Sequence, residues 1–243
     1  MARFLKSVKR GNVFNFRDRD ASPAEGASLW ETCPLLVDDM SYHEYKNDFH
    51  VYDPDEWTLT VVDGGGDNAD SQVITGAAGG VLLCTTDDAE NDGPNFNLKG
   101  ESFKLASGKE LWFEARIAAS EATQSDILVG LSITDTDMLG GVTDGVYFRK
   151  VDGSAAFAFV TEKDSSETST ASVHTLVAAT FVKLGFYFNG DGTVYGYVDG
   201  ALVATHTLTI PDDEELTIGF QYLTGAAGVD TFSVDYIRVR QVR

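Results

Sequence analysis

The stretch that decides the fold is the last quarter of the chain, Phe181-Val-Lys-Leu-Gly-Phe-Tyr-Phe188 through Val234-Asp-Tyr-Ile-Arg-Val239. It reads as five consecutive antiparallel strands. The first, Phe181 to Phe188, ends at Asn189-Gly190-Asp191-Gly192, a polar cluster of residues that tolerate positive φ. Thr193 to Val198 then runs into Asp199-Gly200, the two-residue signal for a type I′ hairpin, and Ala201 to Leu208 returns along it. Pro211 to Glu215 is a polar connection, Leu216 to Leu223 a fourth strand, and Thr224-Gly225-Ala226-Ala227-Gly228 turns the chain into Phe232 to Val239. In that last strand Phe232, Val234 and Tyr236 alternate and Ile237 and Val239 continue in the opposite phase, which implies a bulge or burial on both faces.

The same pattern continues upstream. Trp57 to Val62, Gln72 to Thr75, Val81 to Cys84, Leu111 to Ile117, Ile127 to Ile133 and Gly145 to Val151 are apolar segments bounded by Gly or acidic residues. Asp152-Gly153 predicts a second hairpin, into Ala155 to Val160. The run Lys163 to Thr170 has no apolar residue and is expected to be an exposed, mobile loop before a strand at Val173 to Ala178. About a dozen short strands without a long amphipathic helix give an all-β chain, two antiparallel sheets packed face to face. Its 43% hydrophobic and 11% aromatic residues over 243 positions suffice for one large core.

Residues 1 to about 50 carry no sustained period and read as an extended N-terminal arm, with 51–243 as the sandwich. A short helix is expected after Ser22, because Pro23 suits a first helical position, with Gly26 and Pro34 limiting it. The charge divides sharply. Arg3, Lys6, Lys9, Arg10, Arg17 and Arg19 against Asp18 give residues 1–19 a charge of +5, which leaves −25 on the rest of a chain whose net charge is −20. An acidic body of that size repels nucleic acid and anionic membranes, whereas the basic arm suits an acidic surface or phosphate. Phe4, Val13, Phe14 and Phe16 lie among those bases and require burial on the parent domain or on a partner. No apolar run reaches the roughly 18 residues of a membrane span, and the basic N-terminus lacks a signal peptide's apolar stretch. Cys33 and Cys84 are expected to be two buried thiols rather than a bridge, in keeping with synthesis in a reducing compartment.

Four segments carry a family resemblance: Glu110-Leu-Trp-Phe-Glu-Ala-Arg-Ile117, Gly145-Val-Tyr-Phe-Arg-Lys150, Gly196-Tyr-Val-Asp-Gly200 with Leu202-Val203-Ala204, and Val234 to Val239. In order and spacing they resemble the concanavalin A-like lectins and glucanases, which include laminin-G-like modules, over residues 57 to 240. The version they are most similar to is the jelly-roll domain of tailed-bacteriophage virion structural proteins. That resemblance implies a non-enzymatic capsid decoration or cement subunit on the outer surface of a virion, made in the host cytoplasm. Its partner would be a major capsid protein, and self-association into a homotrimer would strengthen attachment. The residues expected to bind that partner are those of the arm: Arg3, Phe4, Lys6, Lys9, Arg10, Val13, Phe14, Phe16, Arg17 and Arg19. The alternative is a lectin-like module adhering to glycans.

Catalysis finds little support in the residues. The family's glucanases carry Glu-x-Asp-x-Glu, and hydrolysis needs two carboxylates about 5 to 9 Å apart. Only Glu110 and Glu114 approach this, without a central Asp, and read as solvent-facing. His43, His50, His174 and His206 have no nucleophile beside them in a recognisable setting. Asp88-Ala-Glu-Asn-Asp-Gly93 resembles the start of a calcium loop but reaches Lys99 where a bidentate Glu belongs, and Asp135-Thr-Asp137 and Asp67-Asn-Ala-Asp70 read as solvated acidic loops. No catalytic residue, metal ligand or cofactor is therefore assigned. Trp30, Trp57, Trp112 and Tyr187 are of the type that stacks on sugars but adjoin apolar residues and are expected in the core.

Overall fold

A computed structural model of the chain describes residues 22–33, 41–62 and 79–243, together with the strand backbones at 5–10, 13–18 and 71–74. The strands are β1 (Leu5–Arg10), β2 (Val13–Asp18), β3 (Tyr42–Asn47), β4 (Trp57–Val62), β5 (Ser71–Ile74), β6 (Leu82–Thr85), β7 (Gly93–Leu98), β8 (Leu111–Ala119) and β9 (Ser125–Ser132). They continue as β10 (Gly145–Lys150), β11 (Ala156–Lys163), β12 (Ser166–Thr175), β13 (Val182–Phe188), β14 (Val194–Val198), β15 (Ala201–His206), β16 (Thr217–Thr224) and β17 (Thr231–Val242). Two short 3-10 turns, Pro23–Glu25 and Leu29–Glu31, and one helical turn, α1 (Met138–Gly141), complete the described elements.

Two large antiparallel sheets face each other. One has the order β12-β11-β10-β9-β16-β7-β4; the other runs β15-β14-β13-β8-β17-β6-β5, with β3 added along β17. The alternating apolar residues meet between them. Ile127, Val129 and Leu131 of β9 and Ile218, Phe220 and Tyr222 of β16 face Phe113, Ala115 and Ile117 of β8 and Val234, Ile237 and Val239 of β17, all without solvent exposure or nearly so. Rings fill the middle: Phe96 stacks on Phe220 at 4.6 Å between centroids, and Trp57 meets Phe220 edge-on at 5.4 Å.

The C-terminal block folds as its turn chemistry dictates. Asp199 and Gly200 have φ of 49° and 83°, the paired positive values of a type I′ turn, and β14 and β15 pair from Val198 and Ala201 backwards. In β17 the register against β8 shifts between Val234 and Tyr236, where the apolar phase changes. The extra residue, Asp235, forms an ion pair with Arg116 of β8.

Three expectations are corrected. The run Lys163 to Thr170 is not a loop: Asp164 and Ser165, with φ of 51° and 60°, form a tight turn, and Ser166–Thr175 returns as edge strand β12 beside β11. Threonine is a good strand former, and an edge strand needs few apolar side chains. Second, Gly93, read as the turn glycine of an incomplete calcium loop, begins β7, buried along its whole length between β4 and β16. Third, the first 50 residues are not one extended arm. β1 and β2 pair as a two-stranded sheet from Leu5↔Asp18 to Arg10↔Val13, and β3 lies in the eight-stranded sheet.

Residues 22–33 pack on the sandwich as well, because its outer face offers them an apolar surface. Trp112, Tyr187 and Tyr197 point outward from β8, β13 and β14, and Leu29 and Cys33 cover them. The Trp112 indole N–H donates to Thr32 Oγ1 at 2.9 Å, Trp112 stacks on Tyr187 at 5.3 Å, and the Arg238 guanidinium lies 4.2 Å over the Trp30 ring. The helix expected after Ser22 is the 3-10 turn Pro23–Glu25, closed by Gly26 at φ 81°. Cys33 belongs to this outer cluster and Cys84 to the main core; burial pushes the Cys33 thiol up to about 11.

Candidate functional site

The residues singled out from sequence lie at separate places in the structure. Lys6, Lys9 and Arg10 lie in β1, and Val13, Phe14, Phe16 and Arg17 in β2, with Lys6 opposite Arg17 and Lys9 opposite Phe14. Arg3, Phe4 and Arg19, like Asp67 and Asp70, lie outside the described residues. Glu110 and Glu114 are held by tyrosines: Tyr187 donates to Glu110 at 2.5 Å and Tyr236 to Glu114 at 2.7 Å. Glu114 is buried rather than solvent-facing, since β17 lies beside it. Trp57, Trp112 and Tyr187 are buried as expected, and Trp30 is half-buried in the outer cluster.

Two of the histidines, His206 and His43, serve separate structural roles. His206 is buried between two hydroxyls, Thr161 at 3.0 Å from Nδ1 and Thr170 at 2.8 Å from Nε2, and burial lowers its pKa. It ties edge strand β12 to β15 across the side of the sandwich. His43 stacks on Phe103 at 5.2 Å, with Nε2 3.1 Å from the Ser102 carbonyl.

The acidic segment Asp135-Thr136-Asp137 is anchored, not merely solvated. Asn95 and Asn97 of β7 both donate their side-chain amides to the Asp135 carbonyl, at 2.7 and 2.8 Å, and Gln221 of β16 donates to Asp137 at 2.7 Å. These bonds strap the α1 segment over the outward face of the seven-stranded sheet, with the Met138 side chain against Gly219. Among the described residues no cluster of three or more His, Cys, Asp or Glu is arranged to hold a metal ion.

Among the described residues a concavity lies at one end of the sandwich, where three connections converge. Leu105 to Ser107, Phe188 to Gly192, and Ile210 with Asp212 enclose a cleft of about 350 Å³. Half-buried Ile210 supplies the accessible apolar surface, over Leu105 and Phe188, which are rooted in the main core and almost without solvent exposure; Ser107, Asp191 and Asp212 supply an exposed polar rim. The loop after β13 is braced from within. Asn189 Oδ1 accepts from the Asp191 and Thr193 backbone N–H groups at 2.8 and 3.1 Å, and Gly108 N–H donates to the Gly190 carbonyl at 2.8 Å. On the opposite side Lys163 bridges Asp212 and Asp213, whose carboxylates hold its ammonium above the usual lysine range. Lys104 reaches Glu215 at 3.0 Å and the Asp213 carbonyl at 2.8 Å. Such a cleft can hold a small polar ring on its apolar surface and fix it by hydrogen bonds at the rim.

None of these lining residues was singled out from sequence. The available signal was Asn189-Gly190-Asp191-Gly192, longer and more polar than the adjacent hairpin turn needs.

Residues 78–235 match the family described as SO2946-like, C-terminal domain. The chain belongs to this family. No curated protein sequence matches it. Among solved structures, SO2946 itself, a protein of unknown function from Shewanella oneidensis MR-1, aligns with a TM-score of 0.57 at 18% identity, covering 83% of this chain and 87% of that one. An endo-1,3-beta-glucanase from Streptomyces sioyaensis aligns at 0.60 and 13% identity over 85% of this chain and 98% of the enzyme. The carbohydrate recognition domain of Emp46p, in a potassium-bound form, aligns at 0.55 and 12% over 79% and 94%. At these identities the likeness establishes the fold, a concanavalin A-like jelly roll, for this SO2946-like domain.

Proposed function

We propose that this SO2946-like chain is a non-enzymatic glycan-binding module whose ligand sits in the cleft between the 105–107, 188–192 and 210–212 segments. The observation that carries this reading is the cleft itself, about 350 Å³ with apolar Leu105, Phe188 and Ile210 beside polar Ser107, Asp191 and Asp212. A volume of that order is at the small end of ligand pockets. The fold it is built on is shared with a carbohydrate recognition domain and with glucanases. Against hydrolysis stands the engagement of Glu110 and Glu114 with tyrosines on a packed outer face. A glycan array probed with and without calcium tests the proposal. We expect binding to a defined set of sugars, reduced about tenfold or more by Ser107→Trp, which would fill the cleft from an exposed position. A blank array, or binding untouched by that substitution, would sink it.

A second reading concerns the N-terminus. β1 and β2 form a two-stranded sheet of their own and carry Lys6, Lys9, Arg10 and Arg17 on a strongly acidic protein. Such an element suits docking on an acidic assembly surface, and a viral shell built from a major capsid protein is one such surface, with this chain as its decoration subunit. Removing residues 1–20 is then expected to abolish co-sedimentation with shells; unchanged co-sedimentation would exclude the hairpin as the anchor.

A further inference from the structure

The charges around the cleft are not equally compensated. Lys163 is shared between Asp212 and Asp213, one cation against two carboxylates, and Lys104 is committed to Glu215. Lys109 adjoins the cleft through its backbone, and its charge is felt at His43. Asp191, exposed on the rim, has no basic side chain of the described residues within ion-pair distance, and its backbone N–H is bonded to Asn189. The cleft therefore offers a ligand the carboxylate of Asp191, which has no basic partner among the described residues, beside an Asp212-Asp213 pair that shares one lysine, on a body of strongly negative charge. An anionic sugar, such as a uronic acid, meets repulsion there; a cationic one meets a partner.

Resting on the glycan reading of this cleft, we infer that its preferred ligand is an amino sugar with a free ammonium group, paired to Asp191 while the pyranose ring lies against Ile210. The ammonium gives Asp191 a counter-charge of the kind that Lys163 shares between Asp212 and Asp213. Because Asp191 is exposed, the pair is worth only a modest factor, about fivefold in affinity at low salt. Salt weakens it, and so does any pH that deprotonates the amine.

Calorimetric titration of the full chain at pH 5.5 with a glucosamine oligosaccharide, its fully N-acetylated counterpart and a glucuronic acid oligosaccharide decides the matter. The expected order is free amine, then N-acetylated, with the uronic oligomer weakest. Asp191→Asn is expected to bring the first two to equal affinity without unfolding the protein, since only the backbone of residue 191 supports the loop. Equal binding of amine and N-acetylated forms by the unsubstituted chain, or a preference for the uronic oligomer, overturns the inference while leaving a glycan site in place. Failure of all three to bind overturns the inference, and a blank glycan array besides overturns the reading it rests on.

Discussion

Gly93→Ala is expected to cost the sandwich about 4 kcal/mol or more, enough to leave little folded protein at 37 °C. A Cβ at residue 93 would lie 2.0 Å from the Tyr222 carbonyl oxygen and 3.0 Å from its carbon, both backbone atoms of β16, at a φ of +156° that disfavours a side chain. Relief would require β7 to move away from β16, and β7 carries Phe96, whose ring stacks on Phe220 at the centre of the core. Gly192→Ala is the matched control. It too has positive φ, +71°, but meets nothing within 4 Å, so its cost is expected to be about 1 to 2 kcal/mol from backbone conformation alone. Urea unfolding of the two variants side by side measures the difference; equal midpoints would show that the approach of β7 to β16 is not what demands glycine.

Trp112→Ala is expected to cost about 4 kcal/mol, as large as a deletion between the sheets, although Trp112 lies on an outer face. The indole is fully buried, stacks on Tyr187 and donates to Thr32, so its removal opens a void beneath Leu29 and Cys33 and strands the 22–33 segment. Trp112→Phe keeps a ring in the stack but loses the hydrogen bond and part of the indole's volume, an intermediate cost of about 2 kcal/mol. Limited proteolysis gives a second readout: cleavage within 22–33 is expected in the alanine variant before the sandwich is attacked. A small, uniform loss with no new cleavage would mean that the outer cluster contributes little.

These two positions also mark how far the sequence was legible. Strands with an apolar period were readable, and so were the Asp199-Gly200 turn and the bulge of β17, because each rests on local chemistry. β7 escaped notice because Gly93-Pro94 reads as a break and Asn95 and Asn97 read as exposed. Their side chains are buried, and both Nδ2 groups donate to the Asp135 carbonyl, a partner some 40 residues away in sequence. β12 escaped because its side chains are mostly hydroxyls, suited to an edge. The basic hairpin had a signal in Gly11-Asn12, a dipeptide common between paired strands, but the lack of a longer period obscured it. The cleft was hardly legible at all. Leu105, Asp191 and Ile210 come from three connections far apart in the chain, and only the packing of the two sheets brings them to one end.

The placement of the two cysteines on opposite sides of the same sheet gives the molecule a built-in pair of reporters. A thiol dye can reach Cys33 once residues 22–33 lift away, whereas Cys84 stays out of reach until the sheets themselves part. The order in which the two sulfurs become labelled therefore distinguishes a local peeling of the outer layer from collapse of the whole sandwich, in one experiment and without adding a probe.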